Sequence, residues 1–193
     1  MIDLSKLGLK VENIVATFYL FTRSNLDDII AVLQDPSTWE VPVILKHNPR
    51  KFSGLVCHLD EPKVTLTLFR TGKGNVTGAR SLDDVQAAVS KLVDVLLKSG
   101  VRFNRAPEIR VQNIVLTGDL GREFNLDIVA SALPNCEYEP EIFPSIIYRV
   151  KDPKMVILLF SSGRVVCSGA KSEHRAWEAI KKFLYELEKR NLI

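Results

Sequence analysis

The sequence predicts an α+β fold built from two direct repeats, each with one strand, a helix, four strands and a long helix. The segment KVTLTLFRTGKGNVTGARSL at 63–82 returns as KMVILLFSSGRVVCSGAKSE at 154–173, with seven of twenty positions identical. Upstream, VENIVATFYL at 11–20 returns as VQNIVLTGDL at 111–120. These segments alternate in hydrophobicity, whereas the residues that follow 82 and 173 are apolar at helical spacing. Two copies of roughly 85–90 residues are too long for a solenoid unit and indicate a duplicated domain.

The spacing between the copies shows where the first copy is longer, and the segment between them marks the domain boundary. The offset is 91 residues for the downstream segments and 100 for the upstream ones, so the first copy holds about nine extra residues before Phe52. The join between the copies, KSGVRFNRAPEIR at 98–110, leaves little room for a flexible linker. We therefore predict two repeats, 1–100 and 101–193, that together form one structural body.

In the first repeat, each element follows from its own pattern. The opening strand alternates and is rich in β-branched residues, and the next segment has helical spacing with an acidic start. Pro and Gly turns then separate the strands of an antiparallel meander. Ser81 and Asp84 form a capping box that starts the long helix. The predicted elements include strand 11–21, helix 26–34, strands 52–59, 63–69 and 75–79, and helix 81–99.

The second repeat follows the same order. Turns are marked by KDPK and SSGR, and Ser172 is a helix N-cap without a matching acid three residues later. The predicted elements include strand 109–118, helix 122–133, strands 143–150, 154–160 and 164–170, and helix 172–190.

In the second repeat, both faces of the predicted sheet are apolar, which is more than its helices explain. Met155, Ile157 and Leu159 point to one side of their strand, but the residues between them, and Phe160, are apolar as well. Two helices per repeat can cover only one face, and an uncovered apolar face marks an interaction site. A sandwich or a second helix layer over this face is the alternative.

Composition narrows the classes of function. No apolar run approaches the roughly 18–20 residues that span a bilayer, so no membrane partner is expected, and no secretory signal is visible at the start. Three cysteines without CxxC spacing predict an intracellular protein with free thiols. The net charge of +3 permits nucleic-acid binding but does not argue for it.

The residues give little support for an enzyme. Cys57 and His58 are adjacent, but neighbours in a strand point to opposite faces and cannot act as nucleophile and base. His47, His58 and His174 lack metal-ligand spacing, and neither a P-loop nor GxGxxG occurs. We expect no catalysis, no cofactor and no metal.

The duplicated unit, the paired VxNIV segments, YEPEIFPSIIYR and LLFSSGRVVCSGAKSE resemble the TATA-box-binding protein family of general transcription initiation factors. The resemblance covers essentially the whole chain and is more specific in the second repeat. The lack of a long N-terminal extension resembles the archaeal branch. The resemblance implies a cytoplasmic, nucleoid-associated protein if archaeal, and a nuclear one if eukaryotic.

The resemblance also implies a saddle, with a curved ten-stranded antiparallel sheet whose concave face binds the DNA minor groove and helices on the convex face. This family is itself a standard example of minor-groove binding by apolar wedges that kink the duplex. At A·T pairs the groove presents only acceptors, whereas guanine adds a projecting amino group. An apolar sheet tolerates the former and clashes with the latter, so the expected ligand is A·T-rich, TATA-like promoter DNA.

Site residues are implied by their match to the family's motifs. Wedge pairs that kink the two ends of the box are expected from Phe52 with Phe69 and from Phe143 with Phe160. Base or groove contacts are expected from Asn13, Val15, Thr77, Asn113, Val115, Leu158, Val166 and Ser168. Phosphate contacts, which position the protein without reading sequence, are expected from Lys51, Lys73, Arg80, Arg149, Arg164 and Lys171. Each of these basic residues also fits a simple solvated surface.

The resemblance names a protein partner too. The segment EYEPEIF at 137–143 corresponds to the stirrup that meets transcription factor B, so Glu139 and Glu141 are candidate contacts. RNA polymerase would be engaged indirectly.

The first repeat departs from this pattern. Three groove-side residues of the second repeat, Leu158, Val165 and Val166, are replaced by Thr67, Gly74 and Asn75. His58 stands in place of Arg149, and Ser53 in place of Pro144. These changes predict a more polar first groove surface. They leave open a divergent paralogue that acts mainly as a protein-binding module, with weak or altered DNA binding.

Overall fold

The structure, a computed structural model, describes residues 8–22, 24, 26–39, 43–48, 50 and 52–193. In these residues the predicted order of elements is confirmed, with a short 3₁₀ helix, Pro36–Thr38, added after the first helix. The elements of the first repeat are β1 (Lys10–Tyr19), α1 (Leu26–Gln34), β2 (Val43–Asn48), β3 (Phe52–Leu59), β4 (Val64–Phe69), β5 (Lys73–Ala79) and α2 (Leu82–Lys98). Those of the second are β6 (Glu108–Asp119), α3 (Leu126–Ala132), β7 (Cys136–Glu139), β8 (Phe143–Val150), β9 (Met155–Leu159), β10 (Arg164–Ala170) and α4 (Glu173–Glu188).

The strands form a ten-stranded sheet in the order β2-β3-β4-β5-β1-β6-β10-β9-β8-β7. The chain divides into two compact units: Asn13–Gln112, called the first unit, and the chain up to Glu12 together with Asn113–Ile193, called the second unit. The described pairings within each unit are antiparallel, so the α+β class predicted from the sequence is confirmed. The repeat boundaries 1–100 and 101–193 stay a prediction.

In the first unit, the core lies between the sheet and its helices. Alternate residues of β1, namely Ile14, Ala16 and Phe18, are buried, and α2 packs on β5 and β4. The predicted capping box is present: Asp84 N–H donates to Ser81 Oγ at 3.0 Å and Ser81 N–H donates to Asp84 Oδ2 at 3.0 Å. Two orphan donors at the start of α2 are thereby satisfied.

The second unit repeats this plan with one shortened helix. The helix predicted over 122–133 begins only at Leu126, so its predicted start is wrong. The cause is Asn125, whose Oδ1 accepts from the backbone N–H groups of Asp127 (3.1 Å) and Ile128 (3.2 Å) as an N-cap. The preceding Phe124 donates its N–H to Ser161 O instead of entering a helix. The long helix α4 starts at the predicted cap, Ser172.

Each unit leaves one sheet face uncovered by its helices. Along β9, Met155, Ile157 and Leu159 are buried towards α4, whereas the residues between them are partly exposed. Within the described residues no further layer covers this second face, so the sandwich alternative is not supported. We call the partly exposed faces of the two units the open faces. Among the helices that the structure describes, none is long and apolar enough to cross a membrane.

In one cross-strand pair, the strands that carry the large and the small residue are exchanged between the two units. In the first unit Phe18 pairs with Gly74, where an added Cβ would lie 2.1 Å from Cζ of Phe18. In the second unit the pair is Gly118 and Val165. Phe18, Gly74 and Val165 are buried on the helix side. Gly74 and Val165 were assigned to the groove surface from the sequence. Both residues lie in the core instead, so that assignment is wrong.

Candidate nucleic-acid interface

The open face of the second unit carries two rows of side chains across its strands. Strand register places Ile147, Leu158, Val166 and Thr117 side by side in the first row. The second row aligns Arg149, Val156, Ser168 and Val115 in the same way. Leu158, Val166, Val115 and Ser168 were predicted for this surface from the sequence; Ile147, Val156 and Thr117 were missed, although strand alternation places them on the same face. The second open face is therefore mainly apolar.

The equivalent rows of the first unit are more polar. Register aligns Val56, Thr67, Asn75 and Thr17 in one row. The other row aligns His58, Thr65 and Thr77. Position by position, Leu158 and Val166 are replaced by Thr67 and Asn75 and Arg149 by His58, whose Nδ1 lies 2.9 Å from Thr65 Oγ1. The first open face thus keeps the same row geometry with fewer apolar groups. Val15 lies on the same side of β1, half-buried.

Two phenylalanine pairs lie at matching ends of these faces. Phe52 begins β3 and Phe69 ends β4, with ring centroids 5.7 Å apart at an interplanar angle of 66°. Phe143 begins β8 and Phe160 follows β9, with centroids 6.1 Å apart at 69°. Phe52 is 45% exposed and Phe143 is 41% exposed. Large aromatic rings at this exposure, in edge-to-face pairs at both equivalent positions, are unusual for residues that only serve packing.

The two predicted asparagines have the same backbone partner in each unit. Asn13 Oδ1 accepts from Gly78 N–H at 2.8 Å, and Asn113 Oδ1 accepts from Gly169 N–H at 2.8 Å. A backbone N–H can only donate, so each amide oxygen is fixed against its glycine and each amide nitrogen points away from it. Asn113 Nδ2 lies 3.4 Å from Ser168 Oγ, which places these two polar groups together on the open face. Both asparagines therefore present hydrogen-bond donors.

The predicted phosphate-binding residues differ in their surroundings. Lys73, Arg80, Arg164 and Lys171 are exposed. Lys51 lies outside the described residues. Arg149 instead forms a bidentate ion pair with Glu137, in which Nε donates to Oε1 at 3.0 Å and Nη2 donates to Oε2 at 3.1 Å. Hydrogen bonds from Arg149, reinforced by its charge, lower the pKa of Glu137, and the same contact raises the pKa of Arg149.

The hairpin between β7 and β8 is exposed. Glu139 and Glu141, the candidate partner contacts, are both on the surface, and Ile142 is 79% exposed between Glu141 and Phe143. Ile142 N–H donates to Glu139 O at 2.9 Å, which closes the turn. The sequence pointed to the acids and missed Ile142, the more unusual exposed group.

Cys57 and His58, adjacent in β3, lie on opposite sides of the sheet. Cys57 is buried in the core and burial raises its pKa to about 12, whereas His58 lies on the open face. Cys167 is likewise buried, with its pKa raised to about 12. Among the described residues, no group of three or more His, Cys, Asp or Glu side chains is placed to hold a metal ion.

Comparisons with known proteins agree with this geometry. The family model for transcription factor TFIID, or TATA-binding protein, matches residues 8–99 and 108–190. The TATA-box-binding protein of Thermococcus sibiricus is 58% identical over 190 residues, 98% of this chain and 98% of that protein. That of Pyrococcus furiosus is 55% identical over 193 residues, 100% of this chain and 96% of that protein. The solved structure of Methanococcus jannaschii TBP matches with a TM-score of 0.81 at 40% identity, over 94% of this chain and 98% of that one.

Proposed function

The chain belongs to the TATA-binding protein family, in its archaeal branch, and from this membership we propose that it is a general transcription initiation factor. It binds A·T-rich, TATA-like promoter DNA in the minor groove, kinks the duplex and nucleates the preinitiation complex. The open faces contact the floor of the groove, and the two phenylalanine pairs enter base steps at the two ends of the box. Each repeat, 1–100 and 101–193, holds one half of the box.

The observation that carries this proposal is the exposure of paired rings at equivalent strand ends, Phe52 with Phe69 and Phe143 with Phe160. A side chain that enters a base step must project from the surface and be braced from behind. The edge-to-face partner supplies that brace in each pair. Unstacking a step costs a few kcal/mol, and burial of apolar surface in the opened groove offsets this cost at roughly 25 cal/mol per Å².

Selectivity for A·T pairs follows from the polar groups on the open faces. The amide nitrogens of Asn13 and Asn113 donate to the adenine N3 and thymine O2 acceptors in the groove. The apolar residues around them, such as Val115 and Leu158, have no acceptor for a guanine amino group and would leave it unpaired. The hydroxyls of Thr77 and Ser168 supply short polar contacts beside the asparagines.

Phosphate contacts from Lys51, Lys73, Arg80, Arg164 and Lys171 position the protein on the duplex. Arg149 joins them by exchanging Glu137 for a phosphate, a similar charge-assisted acceptor. The exposed hairpin with Glu139, Ile142 and Glu141 binds transcription factor B, and RNA polymerase is recruited indirectly. The protein would act on the chromosome, associated with the nucleoid.

The divergent-paralogue alternative is not favoured. The TATA-box-binding proteins of Thermococcus sibiricus and Pyrococcus furiosus match 98% and 100% of the chain at 58% and 55% identity. Both repeats carry a phenylalanine pair and the asparagine, in spite of the more polar first open face.

Removal of one wedge pair provides the test. We expect the double variant Phe143→Ala with Phe160→Ala to bend an end-labelled A·T-box duplex less than the wild-type protein does, because one of the two kinks is lost. Energy transfer between dyes on the duplex ends reports the bend. Tyr185→Ala, which removes an aromatic ring 60% exposed on α4, is the matched control and should leave the bend unchanged. Equal wild-type affinity for A·T-rich and G·C-rich duplexes would contradict the proposal, as would full bending by the double variant.

A further inference from the structure

A cavity of about 530 Å³ opens at one end of the first unit, where β1 ends and β5 begins. Its characteristic residues are Tyr19, Phe21, Lys73, Arg105 and Arg110, which we call the basic–aromatic pocket. Of these, only Lys73 was singled out from the sequence. Arg105 and Arg110 come from the segment that joins the two repeats.

The two arginines of the pocket are held by neighbouring side chains. The Arg105 guanidinium carbon lies 3.5 Å from the centroid of the Phe21 ring, and Tyr19 packs edge-on against Phe21 with centroids 4.4 Å apart. A guanidinium held over an aromatic ring keeps the N–H groups at its edge free to donate to a planar or tetrahedral oxyanion. Arg110 Nε donates to Glu108 Oε1 at 2.6 Å, which fixes its orientation as well.

The charge of the pocket is positive. It contains three cations and one anion, Glu108, which is committed to Arg110. Within the described part of the chain, neither Lys73 nor Arg105 has a carboxylate partner. An anionic ligand is therefore the natural complement.

The pocket is continuous with the open face of the first unit. Its lining includes Thr17 and Asn75, which are paired in a row of that face, and the wedge residue Phe69. Gln112 Nε2 donates to Thr17 Oγ1 at 2.9 Å and links β6 to the same row. A duplex whose groove covers this face has a phosphate backbone running along the face's edge, past the strand ends that form the pocket.

The second unit lacks the same arrangement. Asp119 occupies the position equivalent to Tyr19, and Gly121 the position equivalent to Phe21. The pocket therefore belongs to the unit whose open face is more polar. From these observations we propose that the basic–aromatic pocket binds a phosphate of the DNA backbone through Arg105 and Arg110, alongside Lys73. This inference rests on the proposed function, because it requires a duplex on the open face.

A methylphosphonate scan tests the inference. Single phosphates of an A·T-box duplex are replaced, one by one, by the uncharged methylphosphonate, and affinities are measured for the wild-type protein and for Arg105→Gln with Arg110→Gln. We expect at least one position where neutralisation weakens the wild-type protein several-fold but has no effect on the double variant. The slope of log affinity against log salt should also fall by about one unit per lost contact in the double variant.

Two controls keep the outcome specific. Lys181→Gln, on the exposed side of α4, removes a positive charge and should reproduce the wild-type scan. Arg105→Lys retains the charge without the planar fork, so it should keep the salt slope of the wild-type protein while binding the duplex more weakly. Identical scans for the double variant and the wild-type protein would overturn the phosphate assignment while wild-type bending and A·T preference stand. Loss of those two wild-type properties would instead overturn the proposed function itself.

Discussion

The amide oxygen of Asn113 lies 2.8 Å from the backbone nitrogen of Gly169, and this contact decides which end of the amide faces outwards. The first unit repeats it between Asn13 and Gly78. A residue that presents only N–H groups to an acceptor-lined groove is chemically complementary to it. The backbone of the neighbouring strand, β5 or β10, thus fixes which polar group of the asparagine faces outwards.

Asn113→Asp should separate folding from recognition. The carboxylate can still accept from Gly169 N–H, so we expect the midpoint of thermal unfolding to change little. It cannot donate to base acceptors and would repel them, so affinity for an A·T box should fall at least about tenfold, the loss expected for an unpaired polar group. Binding titrations and thermal unfolding of the same sample measure both effects. Retained affinity would show that the amide nitrogen does not contact a base.

Thr67→Leu with Asn75→Val should strengthen DNA binding. These changes replace the pair Thr67 and Asn75 on the first open face by the residues found at the equivalent positions of the second, Leu158 and Val166. The added apolar surface should contribute about 1 kcal/mol, roughly a fivefold gain in affinity. The reciprocal variant, Leu158→Thr with Val166→Asn, is the matched comparison and should weaken binding. Weaker binding by the first variant would mean that the polar row makes specific contacts.

Glu137→Gln should strengthen binding at neutral pH, because it releases Arg149 for a phosphate. The salt dependence should steepen by up to about one unit. Arg149 lowers the pKa of Glu137, so the carboxylate stays charged until the pH falls below the ordinary range for glutamate. The stability that this exposed pair contributes is present above the unfolded-state pKa and is lost as the pH falls through the lowered folded-state value.

In that acidic window the wild-type carboxylate becomes neutral, and the difference in DNA affinity between wild type and Glu137→Gln should close. Titrations at neutral and acidic pH, at fixed ionic strength, measure this convergence. Weaker binding by the glutamine variant at neutral pH would show that Glu137 positions Arg149 for the phosphate instead of competing for it.

Gly74→Ala should destabilise the first unit. Its Cβ would lie 2.1 Å from Cζ of Phe18, which is 2% exposed and has little room to move. Overpacking of this kind typically costs about 1–3 kcal/mol in the free energy of unfolding. Urea denaturation measures the loss. Phe18→Leu in the same chain should recover part of it, and equal destabilisation with and without Phe18→Leu would contradict the steric explanation.

The repeat and the alternation of apolar residues were enough to predict the order of elements and the sheet face of most side chains, but the faces of Gly74 and Val165 were assigned wrongly. Several features that depend on one contact were not predicted, although the capping box of Ser81 and Asp84 was. The start of α3 moved because the side chain of Asn125 caps it, and Gly74 is explained only by Phe18 on the neighbouring strand. The ion pair of Arg149 with Glu137 and the stacking of Arg105 on Phe21 join residues 12 and 84 positions apart, and no periodicity encodes either contact.

The unequal rows of the two open faces have a consequence for a bound duplex. On a duplex bound as proposed, Leu158 and Val166 would exclude water from one half of the box, whereas Thr67 and Asn75 would hold water or polar atoms over the other half. The two halves of a palindromic box have the same sequence, but the two open faces would make different contacts with them. The proposed complex would therefore be asymmetric, which would give the assembly a direction before any other factor binds.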